Sequence, residues 1–516
     1  MLLINQIKLN LNESEKLPET KICKKLHLKN DELLSYKIYR KSLDARKELA
    51  YVYTLIIEVK NEDKCLKHKD VTTYTPFNHD IEMVKTDVRP IIVGYGPAGI
   101  FATQYFLDAG IKPIIFERGS RIAKRRIDVE DFFNEGILDP ESNVQFGEGG
   151  AGTFSDAKLT TRVKDITIEY ITAKFIKFGA KEEIAYDAHP HIGTDCIQEI
   201  ITKMTDDAIS RGAEFHFDEK ITDFIIENDE FKAVISDKGT YYSDYLVLAC
   251  GHSAYDIMLS LNKRGVYLEA KDFSIGFRVE HPQSFIDHNQ YKCNNPKLPA
   301  AEYFLRAKTS VDKGVYSFCM CPGGFVVPSS SELETIVTNG MSYSKRDNNL
   351  ANSALLVQVS KEDFGDNLFA GFDYIHEIEA RAYKLSGSYQ ALSQNISDYM
   401  HNDLKPLKFK SSYPLGTSLY NLNDFFDSKL NIAFKEALLH FDHVIPGFIE
   451  EGIMVGPETR SSCPVRIKRN LNLVSISTNG LYPCGEGAGY AGGIISSSID
   501  GVKVARTIAN ILKEAK

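Results

Sequence analysis

Gly94-Tyr95-Gly96-Pro97-Ala98-Gly99 follows the apolar run Ile91-Ile92-Val93 and opens a stretch with apolar residues at helical spacing. Three glycines in a G-x-G-x-x-G pattern do three things at such a junction. Gly94 permits a tight turn, Gly96 lets backbone approach phosphate oxygens, and Gly99 lets the helix pack close to the strand. The helix that begins at Pro97 and Ala98 offers unpaired N–H groups and partial positive charge to a pyrophosphate. Glu117 ends the next apolar run, "IKPIIFERG", at the distance where a carboxylate accepts hydrogen bonds from a ribose diol. Residue types and spacing together predict a dinucleotide site.

The hexapeptide alone does not separate NAD from FAD. Three later stretches bear on that choice. "NVQFGEGGAGTFSDAKL", residues 143 to 159, sets Gly147, Gly149, Gly150 and Gly152 beside Thr153 and Ser155. So many glycines let backbone come close to something large. "DYLVLACGHSA" reads as a buried strand ending at Ala249-Cys250-Gly251, and strand ends of that kind border ligands in parallel sheets. "NGLYPCGEGAGYAGGIISSSIDGVKVARTIANIL" runs from a strand through Gly485-Glu486-Gly487 and Gly492-Gly493 into a helix opening at Ile494.

These residues need a scaffold. From Ile91 the pattern is strand, helix "PAGIFATQYFLDAG", strand, which predicts a βαβ unit and a parallel, doubly wound sheet. Between residues 271 and 452 the alternation stops. "FSIGFRVEHP", "GVYSFCMCPGGFVVPSS", "ETIVTNGMSYS" and "SALLVQVS" read as antiparallel strands, and "GFDYIHEIEARAYKLSG" and "ALSQNISDYMHNDLK" as helices. Residues 1–86 read as a small α+β unit, with strands in "LLINQIKLNL", "LLSYKIYRKSLDARK" and "LAYVYTLIIEV" and a short helix in "LPETKICKKLHL". The fold class is therefore α/β: a discontinuous Rossmann-like nucleotide-binding domain (87–270 and 453–516), an inserted antiparallel-sheet-plus-helix cap or substrate domain (271–452), and the N-terminal unit.

Composition bounds the rest. A formal charge of −9 argues against non-specific binding to nucleic acid or anionic membrane. The basic residues Lys37, Arg40, Lys41, Arg46 and Lys47 are a local exception, read as a solvated face or as a docking surface for RNA or protein. Nine cysteines without framework spacing or a CxxC pair fit reduced thiols in a cytoplasmic protein. No apolar run is long enough for a membrane span, and the first residues lack a basic, apolar leader pattern.

With those motifs in view, the chain resembles flavoproteins with a glutathione-reductase-like FAD-binding fold. More closely, "GYGPAGIFA…ERG", "FGEGGAGTFSDAKL", "CPGGFVV", "ETRSSCPVRI" and "CGEGAGYAGGI" resemble the FAD-dependent dehydrogenase group labelled NAD(FAD)-utilizing dehydrogenases. The resemblance covers roughly residues 88–516. It implies that Gly94, Gly96, Pro97, Ala98 and Gly99 face the pyrophosphate, Glu117 the adenosine ribose and Arg118 the adenine side. Gly149, Gly150, Gly152, Thr153 and Ser155 would lie along pyrophosphate and flavin. Lys220 and Ile221 would meet adenine, Ala249, Cys250 and Gly251 would border the cofactor, and Glu486, after Gly485, would take the ribityl chain or phosphate. N–H groups of Gly492, Gly493 and Ile494 would point at the flavin pyrimidine edge. Glu486 departs from the Asp of many relatives of the wider fold.

The resulting expectation is an FAD-dependent oxidoreductase of an unidentified small molecule. Two other readings stand beside it: an RNA-modifying flavoprotein, motivated by the basic cluster, and a non-catalytic flavin sensor or scaffold. No second G-x-G-x-x-G is present and no CxxxxC or CxxC pair follows the first. NADH or NADPH is thus expected only as a transient electron donor. No acid–base residue stands out as catalytic, and no metal is expected. Cys319 and Cys321 read as packed strand neighbours, as a redox pair or as metal ligands. His252, His281 and Arg278 suit either carbonyl polarisation or ordinary structural roles, and Arg460 and Arg466 either an anionic substrate or the domain junction.

Overall fold

A computed structural model of the protein describes residues 1–11, 19–46, 49–76, 80–293 and 298–515. It contains two compact units: Met1–Asp80 with Lys158–Ile192, and Ile81–Ala157 with Gly193–Lys516.

The first unit is built on a four-stranded antiparallel sheet in the order Leu33–Asp44, Ala50–Val59, Leu2–Asn10, Val71–Thr73. Leu2, Ile4, Ile7 and Leu9 enter one core. The two-residue period slips between Ile4 and Ile7, where Gln6 takes a φ of 60° in a bulge. The helix Glu19–Leu26 adds Ile22 and Leu26 to that core. Leu17 and Pro18, which the sequence reading included in this helix, lie outside the described residues. Residues 158–192 fall within the stretch read as nucleotide-binding domain, yet they group with this sheet. Backbone bonds from Lys41 N–H to the Tyr186 carbonyl (2.7 Å) and from Ala188 N–H to the Lys41 carbonyl (2.8 Å) tie them there. In the basic cluster Lys37 and Arg40 are exposed, Lys41 caps the Tyr51 ring at 4.6 Å and Arg46 pairs with Asp44 at 2.9 Å. Lys47 lies outside the described residues.

The second unit carries the expected parallel sheet. Its strand order is Leu481–Pro483, Leu246–Leu248, Ile91–Val93, Ile114–Phe116, Glu214–His216, every neighbour parallel. Helices cover it, so its strands are short apolar runs rather than alternating ones. The helix Ile494–Glu514 packs on the helix Pro97–Asp108 at Gly501, where a Cβ would meet the Ala98 carbonyl oxygen at 2.1 Å. Backbone-to-backbone contact of that kind needs a glycine. A three-stranded antiparallel sheet, Ile221–Glu227, Glu230–Ser236 and Thr240–Tyr242, branches off before Leu246.

The inserted region is built on a seven-stranded sheet in the order Arg306–Lys308, Gly314–Cys321, Leu350–Val359, Phe273–Pro282, Ile453–Glu458, Ala391–Asn395, Thr417–Leu419, in which Ile453–Glu458, read from sequence as the start of the return segment, is an interior strand. All neighbours are antiparallel except the last pair. The helices Ala370–Ser386 and Ser428–Val444 contribute Ile378, Phe434 and Phe441 to a core shared with Phe277, Leu355 and Val357 of the sheet. One expected element changes type. The stretch read as a helix over residues 391–405 is a buried strand, Ala391–Asn395, followed by a short helix, Ile396–His401. Its polar residues find partners inside: Gln394 donates to the Asp403 carbonyl (2.6 Å) and Asn395 to Asp398 (2.7 Å). Those bonds remove the cost of burying amides in a central strand.

Candidate functional site

The carboxyl ends of the parallel strands open onto one cavity. Its wall takes Gly94, Gly96, Pro97 and Ala98 from the first turn, and Glu117 and Arg118 from the next strand end. Gly150, Gly152 and Ser155 come from the second glycine loop, Ile221 from the antiparallel branch, and Ala249, Cys250 and Gly251 from the Leu246–Leu248 strand end. Glu486, Gly493 and Ile494 arrive from the last segment. The structure thus gathers sixteen of the sequence-predicted residues, scattered over four hundred positions, around one space.

The other six are not part of that wall. At Gly99 a Cβ would lie 2.1 Å from the Gly94 carbonyl oxygen, so this glycine lets helix and turn close on each other. Gly149 is pressed against Thr153, whose Oγ1 would be 2.0 Å from an added Cβ. Gly485 donates its N–H to Asp500 at 2.7 Å, which Arg469 also holds at 2.7 Å. Gly492 is exposed just before the last helix. Lys220 turns away to Glu141 (2.7 Å) and Asp256 (2.9 Å). Arg118 joins the same cluster, chelating Asp256 at 2.8 and 3.0 Å while its guanidinium lies 4.4 Å over the Phe146 ring. Two cations and two carboxylates therefore brace one end of the cavity.

Glu117 does more than face the cavity. Its buried carboxylate accepts N–H bonds from Tyr95 (2.8 Å), Gly119 (3.0 Å) and Gly147 (2.9 Å). It therefore ties the first turn, its own loop and the second glycine loop together. The Oε2 atom carries one of the three bonds and keeps acceptor capacity toward the cavity. Glu117→Ala is expected to lower stability by about 2–4 kcal/mol, because three buried N–H groups lose a charged acceptor. Urea unfolding checks this, and an unchanged midpoint would contradict the bracing role.

The second glycine loop is held from below by Arg125, a residue sequence reasoning missed. Its side chain is fully buried and donates to the carbonyls of Asn143 (2.8 Å), Glu148 (2.7 Å), Val144 (3.0 Å) and Gly150 (3.0 Å). Burial pulls its pKa down to about 10. The guanidinium also lies 4.6 Å over the Phe154 ring.

Further residues at the cavity come from the inserted sheet and from the turn after Gly251: His252, Ser253, Phe318, Cys319, Asn339, Glu458, Arg460 and Ser461. His252 is kept neutral, its pKa pulled down to about 3 by burial and by the nearby Arg460 charge. Its Nδ1 lies 3.8 Å from the Glu486 carboxylate, and its buried Nε2 has no hydrogen-bond partner. Burial pushes Glu486 up to about 7, against the pull of Lys271. The native state then holds that proton more tightly than the unfolded chain, so stability falls as pH rises from about 4.5 to 7. Glu486→Gln is expected to remove this contribution. The Tm of the cofactor-free variant minus that of the parent should climb across the window, and parallel curves would contradict the assignment.

Arg278 and His281, candidates from sequence, are structural. Arg278 is fully buried, bonded to Glu458 (2.7 Å), Asn352 (2.9 Å) and the Cys319 carbonyl (3.2 Å). The His281 ring contacts the Phe448 carbonyl at 2.8 Å, in the core of the inserted region. Arg466 pairs with Glu269 at 3.3 Å, away from the cavity wall. Arg460 does reach the wall, locked to the buried Glu379 at 2.6 and 2.9 Å. With His252 and Ser253 it also borders a second cavity, walled by Tyr255, Phe372, Asp373 and His376. The two spaces meet across these three side chains.

A family model described as "FAD-dependent protein, C-terminal domain-like" matches residues 272–461, and one described as a domain of unknown function matches residues 1–60. A protein of Clostridium beijerinckii described as uncharacterized is 40% identical over 523 residues, covering 98% of each chain. Among solved structures, a flavoprotein/dehydrogenase from Cytophaga hutchinsonii is 10% identical, covering 83% of this chain and 79% of that one, with a TM-score of 0.36. Glycine oxidase from Bacillus cereus is 10% identical, covering 83% and 96%, also with a TM-score of 0.36. Structural likeness of that size carries no assignment.

Proposed function

The chain belongs to one family with the Clostridium beijerinckii protein, and from that premise we propose that it is an FAD-dependent oxidoreductase acting on a small molecule. The observation that carries this reading is the single cavity in which the G-x-G-x-x-G turn, Glu117, the Ala249–Gly251 strand end and the Glu486–Ile494 segment converge. The description of the matched family model names the same cofactor.

The residues present fit that group. Gly96 has no side chain and faces the opening, where a Cβ would touch nothing nearer than the Gly150 Cα at 3.7 Å. The pyrophosphate would lie there, on the N-terminus of the Pro97–Asp108 helix. Glu117 would accept the ribose hydroxyls through its remaining acceptor capacity. The N-terminus of the Ile494–Glu514 helix would favour negative charge on the ring system. Bound there, FAD would supply hydride and electron-transfer chemistry to the site.

The chain's own residues set the surroundings. Arg460, His252 and Ser253 separate the nucleotide cavity from the second one, which we take as the substrate side. Neutral His252, with an unbonded Nε2, can hydrogen-bond and orient a polar group of the substrate there, while its Nδ1 side faces Glu486 at 3.8 Å. NADH or NADPH remains the proposed transient donor.

An absorbance spectrum of the purified protein tests this first. Flavin bands near ~450 nm are expected, bleached under anaerobic conditions by one of the two nicotinamides. Protein that stays colourless after incubation with FAD would overturn the reading. Yellow protein indifferent to both nicotinamides would remove only the donor.

A further inference from the structure

The strand Gly314–Cys321 does not run straight past the cavity. Its pairing with Leu350–Val359 slips between Phe318 and Cys321. Inside the slip Cys319 takes a φ of 44°, a conformation that residues with a Cβ seldom adopt. Arg278 clamps the Cys319 carbonyl from beneath, at 3.2 and 3.4 Å, and is itself fixed by Glu458. Bulges beside cavities re-aim a side chain, and strained backbone persists only where its surroundings hold it. Here the re-aimed side chain is a thiol that lines the cavity together with Glu486, Gly493 and Ile494.

The second thiol is close by. Cys321 is fully buried and donates its S–H to the Cys319 carbonyl at 3.2 Å. Both sulfurs and a carboxylate oxygen of Asp156 lie within 4.8 Å of one another, the one such cluster among the described residues. A disulfide needs ~2.0 Å between sulfurs. Turning the Cys319 side chain, which borders open space, is the motion that closes the gap. Burial raises the Cys321 pKa, so Cys319, the less buried of the two, is the thiol presented to the cavity.

We propose that Cys319 and Cys321 form a dithiol–disulfide couple that exchanges an electron pair with the flavin, so that the site takes substrates of the thiol or disulfide class. This rests on the FAD reading above. In the oxidising direction two S–H bonds break and one S–S bond forms. Two electrons and one proton pass to the oxidised flavin. The other proton leaves by way of the Asp156 carboxylate. A ring closed between residues two apart is strained, and strained disulfides are the readily reduced ones.

Anaerobic dithionite titration of the FAD-loaded protein, pre-oxidised with diamide, tests the couple. The wild type should consume two electron pairs per FAD, against one pair in both Cys319→Ser and Cys321→Ser. Mass spectrometry should find the Cys319–Cys321 peptide disulfide-linked before titration and alkylated at both sulfurs after it. A yellow wild-type protein that takes one electron pair, or variants that still take two, would overturn the couple and leave FAD binding standing. So would stoichiometric zinc bound by the two thiols in the purified holoprotein. A protein that cannot be loaded with FAD would overturn both readings, which the spectrum alone reveals.

Discussion

Arg125→Met is expected to give a chain that folds poorly and holds no FAD. The loss in stability should reach at least ~4 kcal/mol, because four carbonyls that now accept from one buried guanidinium are left without donors at ~1–3 kcal/mol each. That is a large part of the ~5–15 kcal/mol that holds a typical domain together. Methionine can fill much of the volume but donates nothing. Gly147 shows how closely the loop is moulded on this side chain: a Cβ there would meet the Arg125 Cδ at 2.3 Å. Arg125→Lys should recover only part of the loss, since one ammonium cannot reach four acceptors set around a planar fork. Chemical denaturation and the flavin-to-protein absorbance ratio measure the two effects. A yellow variant of parental stability would mean that the loop keeps its shape without the arginine.

Gly96→Val should do the opposite: leave the fold and remove the cofactor. The Gly96 backbone, at φ −81° and ψ −170°, suits any L-residue, and the nearest atom to an added Cβ is the Gly150 Cα at 3.7 Å. The protein can therefore accommodate the side chain. The branched methyls then occupy the opening over the helix N-terminus, where a pyrophosphate would lie. A loss of FAD affinity of at least roughly a hundredfold is expected, about 2.7 kcal/mol, with an unfolding midpoint within ~0.5 kcal/mol of the parent. Full FAD occupancy in this variant would place the pyrophosphate elsewhere. The pair of variants separates residues that shape the site from residues that line it.

The difference between those two positions also marks what the sequence makes legible. Gly94, Gly96, Gly99 and Gly150 stand out because close backbone approach demands a residue type, and their spacing follows from strand and helix geometry. Glu117 follows from its place at a strand end. Arg125 has no such signature. It sits in "RIAKRRIDVEDFF", between Lys124 and Arg126, and nothing in that run says which cation turns inward. The strand Ala391–Asn395 was hidden for a related reason. Ser393, Gln394 and Asn395 are buried with partners that include the Ser418 carbonyl, the Leu422 N–H and the Pro406 carbonyl, all outside the run itself, so their polarity misreports their position. Residues 158–192 join the N-terminal sheet through backbone bonds, which leave no mark on residue type. His252 and Arg460 were visible as candidates, but only their convergence on two adjoining cavities distinguishes them from His281 and Arg466.

The central sheet has a consequence for biosynthesis. The strand Leu246–Leu248 is flanked on one side by Ile91–Val93, already made, and on the other by Leu481–Pro483. A ribosome adding ~5–20 residues per second needs about 10–50 s to deliver the second neighbour. Throughout that interval the nascent chain presents an apolar strand with a bare hydrogen-bonding edge, the kind of surface that pairs with other chains. The inserted region emerges and can collapse on its own core meanwhile. Soluble yield should therefore depend on chaperone supply and translation rate more than on the stability of the finished fold.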